Sequence, residues 1–255
     1  MVGNQSKTFS VATYNIFDGR RPEQITQNIL KLIRQGAHVI CLQEVWPLYR
    51  GRNIRKLIDQ HIPVHFKSQY YSEDGANWYD YGLGVLWDTN VFFDPTFNQL
   101  SFPKKSRLTL WDKSFFWILG LTPTIFGRGA LIGTFTFGEK TVRITNLHLD
   151  FQGGDIHRAN QLQSLTNYLN SQPLVDNEII CGDFNTIGLL GKQEKITGLK
   201  KILGNGFQSI FKKPYTSSII QQLDYIFVKN LSVRQAKIIK LLGSDHYPLL
   251  AELSA

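Results

Sequence analysis

The sequence predicts a single α/β domain in which strands outnumber helices. Three observations indicate it: a strand, helix, strand unit near the N-terminus, a series of short strand-like segments further along, and no linker or break in composition. One domain of sheets and covering helices can accommodate 255 residues. We therefore expect one unit over residues 1–255 with one large core.

The N-terminal unit begins at residues 9–15 (FSVATYN), which alternate like a strand. Pro22 then opens a helix that is expected to end at Gly36. Its apolar positions lie on one helical face and are Ile25, Ile29, Leu32 and Ile33. Residues 38–45 (HVICLQEV) follow as a buried strand.

The remaining elements are shorter. Strands are predicted at residues 81–87, 177–183, 221–228, 232–239 and 246–253, and a hairpin over 130–149 turns at Gly138-Glu139-Lys140. A second helix, N-capped by Asp155, has Ile156, Ala159, Leu162, Leu165 and Leu169 at helical spacing. Residues 94–127, rich in Pro, Lys and aromatic side chains, predict an irregular excursion on the surface.

Composition limits the class of protein. Hydrophobic residues make up 42% and charged residues 19% of the chain, which excludes a predominantly disordered protein. No run of 18 apolar residues occurs, and the N-terminus lacks the pattern of a secretion signal, so we expect a cytoplasmic protein without a membrane span. Cys41 and Cys181 lie in apolar runs and are expected to be unpaired core thiols.

The formal net charge is +8. Such an excess of basic residues attracts polyanions, either nucleic acid or an anionic membrane surface. A basic surface that is merely solvated is the ordinary alternative.

Polar residues interrupt or end the predicted apolar strands. They are Asn15, Glu44, His148, Asp183 with Asn185, Asp224, and Asp245 with His246. Burying such groups is costly unless they are paired, so their repetition at strand ends is informative. Each one alone has an ordinary explanation, such as a hydrogen-bonded acid, an Asx-turn or a core histidine.

Their chemistry suits a phosphate ester. A hard cation would stabilise the Glu44 carboxylate by direct ligation, and Asp183 and Asn185 project to one side in extended geometry. His148 shares a strand face with Asn146 and Asp150, from which an imidazole can donate to a phosphoryl oxygen.

The second imidazole belongs to His246. Asp245 is its neighbour in the sequence, and Asp224 offers a further carboxylate that could orient the ring through its other nitrogen. An acid at the start of a strand that makes an ordinary hydrogen bond is the alternative for Asp224.

Taken in order, the motifs TYN, LQEV, NLHL, GDFN, LDYIF and SDHYPL resemble those of the endonuclease/exonuclease/phosphatase (DNase I-like) superfamily. The resemblance runs from residue 9 to residue 253 and leaves the middle excursion without a counterpart. It implies a four-layered α/β sandwich: two mostly antiparallel sheets packed face to face, helices outside, and the active site at one edge of the sheets.

The resemblance also implies a metal site. Glu44 would be the principal ligand, helped by Asp245 and, through water, by Asn15. Mg²⁺ is the expected ion for such a site, and Mn²⁺ is a competent substitute.

The same resemblance implies a division of labour in catalysis. Asp183 would activate the attacking water and Asn185 would orient that water or the phosphate. His148 and His246 would contact the non-bridging oxygens, with Asp224 holding His246 in place.

HRANQL resembles a pattern that follows the histidine motif in sphingomyelinase-like members and in relatives of tyrosyl-DNA phosphodiesterase. Arg158 and Gln161 of this segment share one helical face and would brace the site. An ordinary exposed Arg and Gln on a helix is the alternative.

The substrate is less constrained. TIGLLGK after GDFN lacks the Ala-His of abasic-site endonucleases, and Thr186-Ile187 departs from the inositol polyphosphate 5-phosphatase signature. A phosphodiester in nucleic acid is favoured over a phospholipid headgroup, and we expect a monomer. The aromatic residues Trp111, Phe115, Phe116, Trp117 and Phe126 suit base stacking, peripheral membrane contact, or plain packing. A binding protein without catalysis is disfavoured because no motif acid or histidine is lost.

Overall fold

The structure is a computed structural model. In it the protein forms two six-stranded sheets packed face to face, with helices on their outer faces. This confirms the four-layered sandwich. The structure describes residues 7–46, 53–72, 82–103, 110, 113–114, 117, 128–151, 154–186, 192–211, 215–218 and 221–255.

The first sheet combines both ends of the chain. Its strands are β1 (Thr8–Asn15), β2 (Val39–Gln43), β3 (Phe66–Ser72), β4 (Gly82–Asp88), β11 (Ser232–Ile238) and β12 (Leu249–Ser254), in the order β11-β12-β1-β2-β4-β3. Helices α1 (Pro22–Arg34) and α2 (Ile54–His61) pack their aliphatic side chains on its outer face. The C-terminal strand thus pairs with the N-terminal one.

The second sheet comes from the middle of the chain. Its strands are β5 (Phe93–Ser101), β6 (Gly129–Phe137), β7 (Lys140–His148), β8 (Asn177–Asp183), β9 (Gln208–Ser209) and β10 (Asp224–Lys229), in the order β5-β6-β7-β8-β10-β9. Helices α3 (Gly154–Asn170) and α4 (Lys192–Leu203) cover it through a second cluster of aliphatic and aromatic side chains. The hairpin predicted at Gly138 joins β6 to β7, as expected.

Each sheet contains one parallel pair, and the other pairings among the described strands are antiparallel. In the first, α1 connects β1 to β2, and Asn15 is opposite Gln43. In the second, α3 connects β7 to β8, and His148 is opposite Asp183. Because both strands of a parallel pair end at the same edge, each βαβ unit delivers two polar strand ends to one place.

The space between the sheets is filled by apolar side chains. Phe9, Phe92 and Phe137 meet there, with the rings of Phe9 and Phe92 edge to face at 5.2 Å. Cys41 and Cys181 lie in the same core as free, fully buried thiols, which confirms that prediction. Burial of such large side chains contributes roughly 1.5–3 kcal/mol each and holds the sheets together.

Three predicted details of the fold were wrong or incomplete. Strand β5 occupies the first part of the segment that was predicted to be irregular; it is an edge strand with exposed residues, and a bulge between Phe93 and Thr96 hides its alternation. Asp155 lies within the first turn of α3 instead of capping it. Ile156 is 54% exposed, so the buried face of α3 begins after it.

Elsewhere in the aromatic-rich segment, Trp117 is 80% exposed. Trp111, Phe115, Phe116 and Phe126 lie outside the described residues. Among the residues that the structure describes, no helix is long and apolar enough to cross a membrane.

Candidate active site

The two parallel pairs end next to each other, and their last residues form one cluster. Asn15 links the units: its Nδ2 donates to Glu44 Oε1 at 3.1 Å and to Asp183 Oδ2 at 2.9 Å. His148 Nε2 lies 3.9 Å from Glu44 Oε1 and 3.8 Å from Asp183 Oδ2. Residues far apart in sequence thus converge on a single polar centre.

A histidine from a third segment completes this cluster. His246 Nδ1 lies 2.9 Å from Asp224 Oδ2, and its Nε2 lies 3.8 Å from Asp183 Oδ2. Asp224 is at the start of β10, directly opposite Asp183 on β8. Asp224 therefore holds the imidazole with Nε2 toward Asp183.

Asn185 supports Asp183 through its backbone. Its N–H donates to Asp183 Oδ1 at 2.8 Å, while its side-chain Nδ2 donates to Leu149 O at 2.8 Å. The amide nitrogen is thus engaged in fastening the two loops that follow β7 and β8. Its role toward water or phosphate stays a prediction.

Asp245 is less central than expected. It is half-buried, and its Oδ1 lies 3.4 Å from Ser244 Oγ. In the described part of the chain, the groups of three acidic or histidine side chains with converging ligand atoms do not include it. Asn15 also presents its amide nitrogen, not an oxygen, to the acids, so both predicted additional ligands stay predictions.

The backbone is strained where the site residues leave the strands. Glu44 and Asn185 have positive φ values of 57° and 47°. This conformation is easy for Asn and unfavourable for Glu, so its presence at Glu44 is a feature typical of functional sites. Gly182 has φ of 136°, and a Cβ there would lie 2.0 Å from Leu147 O, so only glycine lets β8 approach β7.

Two charged residues of this site gave no signal in the sequence. The Asp18 N–H donates to Glu44 Oε2 at 3.1 Å, and the Asp18 carboxylate, which is 5% exposed, pairs with Arg20 at 3.0 Å. Arg128 precedes β6 and is also 5% exposed. An Asp-Gly pair resembles a turn, and a single Arg before a strand resembles a surface charge, so both residues were missed.

Burial changes the ionisation of the cluster. It raises the pKa of Glu44 to about 8, with the Asp18 charge adding to the effect, and raises the pKa of Asp183 to about 6. It lowers the pKa of His148 well below its usual range, helped by the Arg128 charge. For His246, burial acts downward, but the charges of Asp224 and Asp183 outweigh it and raise the pKa to about 10.

These residues fit a divalent cation. Glu44, His148 and Asp183 each offer one ligand atom, and these atoms lie within 4.8 Å of one another. Two acids with raised pKa values beside a neutral imidazole need positive charge to ionise together, and carboxylate oxygens are what hard cations prefer. The second such group, Asp183, Asp224 and His246, already contains a protonated imidazole as its cation.

Asp150 does not join His148 on the site face, contrary to the prediction. It follows the end of β7, is fully buried, and places Oδ2 3.4 Å from His157 Nε2 on α3. Arg158 donates to Asp150 O and Phe151 O at 3.2 and 3.0 Å. Gln161 Oε1 accepts from Asp150 N at 2.9 Å, so α3 braces the loop after His148.

Asn146 is also structural. Its Nδ2 donates to Leu42 O and Gly84 O at 2.8 and 2.9 Å, and its Oδ1 accepts from Gln43 at 2.7 Å. It thus joins the two sheets beneath the site.

Comparison with known proteins places this architecture. One similar solved structure is that of D. rerio TDP2 complexed with a single-strand DNA product, which has 15% sequence identity and a TM-score of 0.70 and covers 98% of this chain and 100% of that one. Another is the endonuclease/exonuclease/phosphatase of Bacteroides vulgatus, which has 18% identity and a TM-score of 0.73 and covers 97% of this chain and 99% of that one. ANGEL2, described as a 2′,3′-cyclic phosphatase, is also similar, with 17% sequence identity, a TM-score of 0.69, and coverage of 97% of this chain and 96% of that one.

No curated protein sequence matches the chain significantly. The sequence profile of the endonuclease/exonuclease/phosphatase family, in contrast, matches residues 12–246. That match begins within β1, includes the first five motifs in full, and ends at His246 within the sixth. The chain therefore belongs to the endonuclease/exonuclease/phosphatase family.

Proposed function

We propose that this protein is a divalent-metal-dependent phosphodiesterase that hydrolyses nucleic acid by in-line attack of water. The observation that carries the proposal is the convergence of Glu44, His148, Asp183 and His246 at one edge of the sandwich. The family match supports phosphoester hydrolysis. The proposal contains no covalent intermediate, because it assigns Asp183 to activate water for direct attack on the phosphorus.

Glu44 is the principal metal ligand in this proposal. Its side chain is 17% exposed, whereas His148 and Asp183 are at most 1% exposed, so a cation reaches Glu44 from solvent most directly. When bound, Mg²⁺ or Mn²⁺ polarises the phosphoryl group and offsets charge on the leaving oxygen. Asp245, and Asn15 through water, are the proposed additional ligands.

Asp183 is the general base. With a pKa of about 6 it is mostly ionised at neutral pH and still basic enough to accept a proton from water. Asn15 and the Asn185 backbone N–H each donate to one of its oxygens, which fixes the carboxylate. General-base catalysis of this kind is worth roughly 10²–10⁴-fold.

The two histidines stabilise the charge that develops on the phosphate. His246 is protonated at neutral pH and directs Nε2 into the cluster, since Nδ1 is held by Asp224. His148 is neutral because burial disfavours its charged form. Donors fixed in advance at this position favour the transition state over the bound substrate.

Nucleic acid is the proposed substrate. The net charge of +8 favours a polyanion, and one of the similar structures, that of D. rerio TDP2, is complexed with a single-strand DNA product. A phospholipid headgroup is the second candidate, since Leu110 and Trp117 in the aromatic-rich segment are 82% and 80% exposed. A non-catalytic binding protein is disfavoured by the intact cluster. Monomeric state and a cytoplasmic location stay predictions.

The test compares hydrolysis of plasmid DNA, single-stranded DNA and sphingomyelin vesicles, each with Mg²⁺ or with EDTA. Cleavage of DNA that EDTA abolishes, and that is lost in Asp183→Ala, would support the proposal. Release of the headgroup without cleavage of DNA would move the substrate to lipid. Absence of hydrolysis in every arm would refute the proposed function.

A further inference from the structure

Helix α1 has a polar side chain on its buried face. Asn28 is 3% exposed and lies among the aliphatic residues Ile25, Ile29 and Leu32. An amide in such a place is costly unless its hydrogen bonds are satisfied. Its partners therefore indicate why it is there.

The Asn28 amide connects three parts of the chain. Its Nδ2 donates to Leu242 O at 2.8 Å and to Tyr14 Oη at 3.1 Å, and its Oδ1 accepts from Gln24 Nε2 at 3.1 Å. Leu242 is 214 residues away along the chain. Both amide hydrogens are thus used to tie the loop after β11 to β1.

That loop is the turn, residues 242–246, that leads to His246. Ser244 Oγ donates to Asn15 O at 2.7 Å and accepts from His246 N at 3.1 Å. Asn28 holds the beginning of the turn, and Ser244 links its end to the last residue of β1.

The turn also lies directly against α1. Gly243 has φ of +117°, and a Cβ at this position would lie 2.8 Å from Gln24 Cγ and 3.4 Å from Asn28 Nδ2. The approach to α1 therefore requires a glycine and leaves little space between turn and helix.

We propose that Asn28 is a positioning residue that orients His246 by fastening the turn at residues 242–246 to α1 and to Tyr14. This inference rests on the proposed function, because His246 matters only if the cluster is catalytic. Asn28 itself touches neither substrate nor metal. A small displacement of a catalytic imidazole lowers turnover more than substrate affinity.

Asn28→Leu tests this proposal, because leucine has the same branched shape as asparagine and no hydrogen-bonding group. With bis(p-nitrophenyl) phosphate and Mg²⁺, we expect kcat to fall roughly 10- to 100-fold and KM to change less than about twofold. Thr26→Val is the matched control: Thr26 is buried on the same helix, and its hydroxyl donates to Pro22 O within that helix. Wild-type kcat is expected for it.

A double variant separates positioning from general damage. In the His246→Ala background, Asn28→Leu should lower kcat no further, because its effect passes through His246. An equal loss in both backgrounds would overturn the proposal. Asn28→Asp keeps the size but lacks the amide hydrogens, and the same outcomes apply to it if Asn28→Leu does not fold.

Amide hydrogen exchange gives a result that does not depend on activity. The amides of His246 and Tyr247 should exchange faster in Asn28→Leu than in Thr26→Val, while those of β7 stay unchanged. Unchanged exchange at the turn would refute the positioning role. If the wild-type protein hydrolyses no phosphodiester but Asn28→Leu still shows the faster exchange, the proposed function alone would be refuted.

Discussion

The two βαβ units of this protein have the same topology but different ends. In the first, β1 and β2 lead to Asn15 and Glu44; in the second, β7 and β8 lead to His148 and Asp183. The side chain of Glu44 is 17% exposed, whereas those of His148 and Asp183 are 0% and 1% exposed. The first unit thus ends in a partly exposed carboxylate, Glu44, beside the buried Asn15, whereas both end residues of the second unit are buried.

This difference matches the chemistry that we assign to each end. A cation must arrive from water with part of its hydration shell, which favours an accessible carboxylate. A general base and a charge-stabilising imidazole act more strongly where water is excluded. In the proposed function, the same backbone arrangement therefore supplies Glu44 as the principal metal ligand at one end and the acid-base residues at the other.

The helices of the two units also differ. Helix α3 braces the loop of its own unit, through Arg158 and Gln161 on the residues after His148. Helix α1 instead sends Asn28 to a turn from the C-terminal part of the chain. The first unit thereby contacts the turn that leads to His246, a residue that neither unit contains.

Of the variants that test this comparison, Asp183→Asn should have the largest effect on turnover. The amide cannot accept a proton from water, so we expect kcat to fall roughly 10²–10⁴-fold, measured by steady-state hydrolysis of DNA. Asp94→Asn, at an exposed position of the β5 edge with φ of 47°, is the matched control and should keep full activity. Equal activity of the two variants would contradict the base assignment.

Glu44→Gln should act chiefly on metal binding. We expect the Mg²⁺ dissociation constant to rise at least roughly 10-fold, which is the typical cost of losing one interaction at a metal site. Calorimetric titration measures this change. Excess Mg²⁺ should restore part of the activity of Glu44→Gln but not of Asp183→Asn. The assignment of Glu44 as the principal metal ligand would fail if Glu44→Gln bound Mg²⁺ as tightly as the wild-type protein.

The stability gained from Mg²⁺ should increase with pH. In the metal-free fold the pKa of Glu44 is raised from 4.5 to about 8, so the fold favours the protonated acid and loses stability as pH rises through that interval. The cation replaces the proton, so its stabilising effect grows over the same interval. Thermal unfolding with and without Mg²⁺, from about pH 5 to about pH 8, measures it.

Glu44→Gln is the control for this pH dependence, because its side chain does not titrate. Its metal-free form should keep more of its stability at the upper end of the interval. A wild-type increment that does not change with pH would exclude Glu44 as the group that exchanges a proton for the metal.

Arg158→Met should have the smallest effect and sharpen the comparison of the helices. It removes the hydrogen bonds to Asp150 O and Phe151 O while keeping an aliphatic side chain on α3. We expect a loss of about 1–3 kcal/mol in the free energy of unfolding by urea, with Mg²⁺ affinity unchanged. A large change in Mg²⁺ affinity would show that the two ends are not independent.

The order of motifs along the chain was enough to predict the fold and most of the residues that the structure brings together in the cluster. Asn15, Glu44, His148, Asp183 and His246 all end or follow strands, and strand ends can be recognised from alternation and from polar residues that interrupt it. The polar contacts of Asp18 and Asn28 escaped prediction, because a turn acid and a polar position on an amphipathic helix are common patterns.

By itself, the sequence determined the identity and order of the chemical groups, the N-terminal strand, helix, strand unit, and the family to which the chain belongs. Only the tertiary structure decided that Asp150 turns toward α3, that Asn15 donates to both acids, and that Glu44 is more exposed than His148 and Asp183. The physical reason is that periodicity reports local backbone geometry. Burial, pKa and hydrogen-bond partners depend on residues that are distant along the chain and that only packing brings together.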